Sequence, residues 1–104
     1  MFKKAISHLT LLIVLVALFS CSKAPVACFV IDKGKTAKVN EEVQFDGMCS
    51  KNADTYSWDF GDGTSSIGSP VKHKYANTGI YVIRLLVARN GETATVNSSL
   101  TINN

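Results

Sequence analysis

Tyr56-Ser57-Trp58-Asp59-Phe60-Gly61-Asp62-Gly63 joins an aromatic run to a glycine-rich corner, and the rest of the chain is built around it. From Thr55 to Phe60, polar and aromatic residues alternate, the period-2 pattern of a strand with one buried face. Tyr56, Trp58 and Phe60 then lie side by side on the inner face. Gly61-Asp62-Gly63 must turn the chain, because glycine reaches positive φ without steric cost and aspartate bonds readily to its own turn. An aromatic strand that ends in a two-glycine corner is a core anchor.

The flanks extend the same pattern. Upstream, Val43 and Phe45 alternate with Gln44 and Asp46, and Val26–Ile31 forms an earlier strand. Ala37–Asn40 is expected to continue that earlier strand after a kink at Asp32–Lys35. Downstream, Thr64–Pro70 reads as a short edge strand and a turn, with Pro70 unable to donate to a ladder. Val71–Tyr75 is the next strand, and Ile80–Arg89 is expected to be the longest. Asn90-Gly91 marks a hairpin, since a type I′ turn needs positive φ at both central residues. The final strand, Thr93–Ile102, points Ala94, Val96, Leu100 and Ile102 one way and its threonines the other. About seven short strands and no amphipathic helix point to an all-β sandwich.

The motif Tyr56-x-Trp58-Asp59-Phe60-Gly61-Asp62-Gly63 resembles the signature of PKD domains, which are immunoglobulin-like β-sandwiches. His73-x-Tyr75 and Gly79-x-Tyr81 follow in the order of that pattern. The resemblance implies structural roles for these residues, His73 included. It also implies a binding, spacer or accessory role, toward protein or carbohydrate.

The first twenty residues read differently. Lys3 and Lys4 precede an apolar run from Leu9 to Phe19, which is interrupted only by Thr10. That run is too short to cross a bilayer comfortably and suits the apolar region of a signal peptide. Leu18-Phe19-Ser20-Cys21 resembles a bacterial lipobox. Residues 1–20 are thus expected to be a lipoprotein signal peptide, Cys21 the lipidated residue and residues 21–25 a tether. Residues 26–104 then form the sandwich. Ser22 is not the aspartate of an inner-membrane retention signal, so the expectation is a lipid anchor at the outer membrane of a bacterial envelope. The full chain carries 11 basic and 8 acidic residues for a net charge of +3. Without Lys3 and Lys4 the counts are 9 and 8, a net charge of +1. This leaves no electrostatic footprint for nucleic acid.

Lipidation of Cys21 would leave Cys28 and Cys49 as an even pair, in a compartment that permits disulfides. Antiparallel pairing of the first two strands sets them opposite each other, where a bond would contribute about 3 kcal/mol. Two free buried cysteines are the alternative.

Three places could carry function. On Ile80–Ala88, Tyr81, Ile83, Leu85 and Val87 face the core, so Ile80, Val82, Arg84, Leu86 and Ala88 face outward. An apolar outer row on an antiparallel sheet suggests a partner surface, and shielding by Arg84 and its neighbours is the alternative. Asp59 and Asp62, with Asp54 nearby, could ligate Ca²⁺ in an adhesion module, although turn hydrogen bonds also account for them. Catalysis is not expected: His73 is the sole histidine after residue 20, and short loops offer no pocket for convergent groups. No cofactor is expected. The partner is an envelope protein or, alternatively, a polysaccharide, although the aromatics a sugar site needs are committed to the core. Asn97-Ser98-Ser99 fits the N-glycosylation pattern, which carries no weight in a bacterial lipoprotein.

Overall fold

The computed structural model describes residues 23–104, so the expected signal peptide and Cys21 lie outside the described residues. No helix among the described residues is long and apolar enough to cross a membrane. Among the described residues, eight strands make up two sheets. β1 (Val30–Ile31), β3 (Val43–Asp46) and β6 (Val71–His73) form the smaller, in the order β1-β3-β6. The larger contains β2 (Thr36–Lys38), β4 (Thr55–Asp59), β5 (Ser65–Ile67), β7 (Gly79–Arg89) and β8 (Glu92–Asn103), in the order β2-β8-β7-β4-β5.

Alternation decides which side chains meet between the sheets. Val43 and Phe45 from the smaller sheet face Trp58, Ile83, Leu85, Val87, Leu100 and Ile102 from the larger, and all are fully or almost fully buried. Phe45 lies 5.9 Å from the Trp58 ring and 5.2 Å from the Phe60 ring, so the aromatic strand is the centre of the core. Aromatic side chains dominate core energetics because each buries so much area. Tyr56 is half-buried, one step nearer the rim than its two motif neighbours.

The Asn90-Gly91 hairpin has φ of 51° and 82° at its two residues and pairs Arg89 with Glu92. From there β7 and β8 stay in register to Gly79 and Ile102. β8 has 12 residues and β7 has 11, so the last strand, not Ile80–Arg89, is the longest. The outward Thr93, Thr95, Asn97 and Ser99 are exposed, whereas Leu100 and Ile102 are buried.

The expected continuation of the first strand is corrected. β2 does not extend β1; it crosses to the other sheet and pairs parallel with β8, Ala37 opposite Ile102. The turn between them is closed by a hydrogen bond from the Gly34 amide to the Ile31 carbonyl, with Gly34 at φ 77°. Lys35 then accepts from the Thr101 amide, which captures the chain on the second sheet. Ala37 is buried there, where its small side chain fits beside Ile102.

The first expected strand is also shorter than its apolar run. Only Val30–Ile31 pairs with β3, and an isolated bridge joins Val26 to Lys51. Between Cys28 and Cys49 runs a disulfide with Cα atoms 5.3 Å apart. The Ser50 hydroxyl accepts from the Cys28 amide and donates to the Cys28 carbonyl, both at 2.9 Å. Contacts with the sandwich begin before residue 26: Pro25 is buried, and Asn52 Nδ2 donates to the Ala24 carbonyl. Among the described residues, 23–104, both sheets, the disulfide and a continuous buried core are present.

Candidate functional site

The corner after β4 is built by its own carboxylates. Asp59 Oδ1 accepts from the Gly61 amide at 3.0 Å, and Asp62 Oδ1 accepts from the Thr64 amide at 3.1 Å and from the Thr64 hydroxyl. Gly61 has φ 81°, and a Cβ there would stand 2.5 Å from the Val82 carbonyl oxygen, so both conformation and space demand glycine.

Asp62 also reaches across to the smaller sheet. Its Oδ2 accepts from His73 Nε2 at 2.7 Å. The imidazole stacks on Phe60, with centroids 4.2 Å apart, and meets Tyr75 edge-on at 4.7 Å. The buried Tyr75 hydroxyl donates to the Phe60 carbonyl at 2.9 Å, and burial pushes its pKa well up from the ordinary tyrosine value. Around Asp62, burial acts to raise the pKa, but the hydrogen bonds from Thr64 and His73 outweigh it and hold the carboxyl below its usual value. His73 is thus clamped by a ring face, a ring edge and a carboxylate. Here it pins the corner of one sheet to the other.

The carboxylates considered for Ca²⁺ have other partners. Asp59 and Asp62 are engaged as described, and Asp54 pairs with Arg89, Nε and Nη2 each at 3.1 Å from Oδ1. Among the described residues, no three His, Cys, Asp or Glu side chains are grouped so as to hold a metal ion.

The five candidate residues of β7 divide. All lie on the outer face of the larger sheet, since Ile83, Leu85 and Val87 between them are fully buried. Ile80 and Val82 are 74% and 54% exposed, and Arg84 is exposed as well. Leu86 and Ala88 are half-buried. Leu86 sits between Ser57 of β4 and Thr95 of β8 and, with Asp59 and Arg84, lines a shallow depression. Val82 and Ile80 are paired with Ser99 and Thr101, whose short side chains leave the methyls open.

The most exposed large apolar residue of those described escapes the sequence reading. Ile67 on β5, in register with Ser57, is 81% exposed. Its signal was present as the lone large apolar side chain in the polar run Thr64–Pro70. Phe29 was likewise read only as part of a strand, yet its ring meets Trp58 edge-on at 5.2 Å. Every aromatic side chain among the described residues is buried or half-buried.

The PKD domain family matches residues 22–103. Collagenase ColA of Clostridium perfringens is 43% identical over 65 residues, which make up 59% of this chain and 6% of the collagenase. The chain therefore spans only a small part of that relative. A solved structure described as carbohydrate-binding modules from the β-sandwich superfamily superposes with a TM-score of 0.71 at 27% identity, over 78% of this chain and 35% of the other. The PKD1 domain of Vibrio anguillarum Epp superposes at 0.65 and 28% identity, over 78% of this chain and 95% of that domain. With the motif corner, the two-sheet architecture and the family match in agreement, this chain belongs to the PKD domain family.

Proposed function

We propose that the chain is a non-catalytic binding module, held to a bacterial envelope by lipid on Cys21, that docks a protein partner on the outer face of its larger sheet. The observation that carries this reading is the 74% and 54% exposure of Ile80 and Val82, whose partners on β8 are only Thr101 and Ser99. Exposed apolar side chains beside a charged residue such as Arg84 suit a protein partner, which covers methyls and supplies a carboxylate. The match to a segment that makes up only 6% of ColA supports an accessory module. The anchor rests on the lipobox-like Leu18-Phe19-Ser20-Cys21.

Polysaccharide binding is the second reading, and the superposition on the carbohydrate-binding-module structure favours it. The buried and half-buried aromatics weigh against it, because sugar rings stack on open aromatic faces.

The test is affinity capture from detergent-solubilised envelope with residues 23–104 as bait, beside an Ile80→Asp, Val82→Asp variant. Leu86 is left intact because it is half-buried. A discrete protein retained by the parent and lost by the variant is the expected result. Glycan retained equally by both baits would overturn the docking surface and favour the second reading. Metabolic labelling with a fatty-acid probe, lost in Cys21→Ser, tests the anchor separately.

A further inference from the structure

Among the described residues the two sheets have four strand edges, and three of them carry or adjoin charge. β2 ends in Lys38 and is preceded by Lys35; β6 contains Lys72 and runs into Lys74; β1 is two residues long and runs into Asp32 and Lys33. Charged side chains and extreme shortness are the usual means of preventing strand addition at an edge. The fourth edge, β5, lies in Thr64-Ser65-Ser66-Ile67-Gly68-Ser69-Pro70, which has no charged residue.

The backbone of β5 is available as well. The Phe60 amide donates to the Thr64 carbonyl, and the Gly68 amide donates to the Tyr56 carbonyl. Trp58 and Ser66, paired between them, continue that alternation. In an antiparallel ladder the intervening residues turn their amides and carbonyls away from the neighbour. Those residues are Ser65 and Ile67, and Ile67 has the most exposed large apolar side chain of the described residues, at 81%.

We propose that β5 is a self-association edge, to which a second copy of this chain adds its own β5 antiparallel about a two-fold axis at Ser66. Ser65 and Ile67 flank Ser66 symmetrically, so Ser65 of each copy faces Ile67 of the other and both exchange backbone hydrogen bonds. This self-complementarity is what an isologous contact requires. The uncharged edge presents no like charge to its copy, whereas pairing β2 or β6 with itself would bring lysines together. The two Ile67 side chains stand diagonally across the seam on the same face, within reach of each other. The paired stretch is short, so the association is weak and concentration-dependent. This contact lies on another part of the domain from Ile80 and Val82 and does not depend on their docking a partner.

Sedimentation velocity and amide NMR on residues 23–104, from micromolar to millimolar protein, test it. Expected are a mass that rises toward that of a dimer and concentration-dependent shifts centred on the Ser65 and Ile67 amides. Ile67→Lys should abolish both while the melting temperature stays the same. Ile67→Pro, which removes an outward amide without touching the β4 ladder, should do likewise. A monomer at every concentration would overturn the proposal. So would a dimer that survives Ile67→Lys, or one lost instead in Val82→Asp with shifts centred on β7.

Discussion

The indole Nε1 of Trp58 donates to the Gly68 carbonyl oxygen at 2.7 Å, so the largest aromatic of the core also holds the loop that follows the outermost strand. With only 2% of Trp58 exposed, the ring and the hydrogen bond act together: one fills the space between the sheets and the other fixes where β5 ends. Trp58→Phe should cost about 2 kcal/mol, from the lost hydrogen bond and the smaller ring. Urea unfolding measures this, and Trp58→Ala should cost more, about 4 kcal/mol.

Asp62 makes the stability depend on acid. Its folded pKa lies below the ordinary 3.8, so its stabilising contribution is complete above that value. The contribution is lost as pH falls through the folded pKa, because the unfolded chain then binds the proton more readily. Asp62→Asn should destabilise the neutral protein by about 1 kcal/mol. The gap between variant and parent should close below the ordinary carboxyl pKa. Unfolding curves from neutral pH into that acid range would show the convergence, and a constant gap would rule out the ionised carboxylate as its source.

Gly61 and Gly91 share a φ near 80° but not their surroundings. A Cβ on Gly61 would meet the Val82 carbonyl at 2.5 Å, whereas one on Gly91 meets nothing within 4 Å. Gly91→Ala should therefore cost only the left-handed backbone penalty, about 1 kcal/mol. Gly61→Ala adds displacement of the β7 backbone and should cost about 3 kcal/mol. Thermal melts of the two variants side by side measure the difference, which isolates the close approach from the conformation.

The sandwich, its aromatic anchor and the β7–β8 register are all legible in the order of residues along the chain. Alternation of period 2 assigns each side chain to a face, which is why Val43, Phe45, Trp58 and Phe60 are buried as their spacing requires. Asn90-Gly91 sets its register locally, because a two-residue turn leaves no freedom between the flanking strands. The bond between Cys28 and Cys49 is one of two readings the sequence allows, and it forms where the chain brings the pair together. Which sheet a strand joins and what covers its outer face emerge only when the chain is folded. β2 is too short for its alternation to name a partner, and its place beside β8 follows from the Gly34 turn, the Thr101–Lys35 hydrogen bond and the room for Ala37 at Ile102. Leu86 and Val82 have the same outward phase on one strand. Yet one is half-buried and the other open, because exposure depends on side chains from neighbouring strands far away in the chain. Ile67 is open for the related reason that, among the described residues, no strand lies beyond β5. Local periodicity encodes direction, whereas neighbours are set by long-range packing.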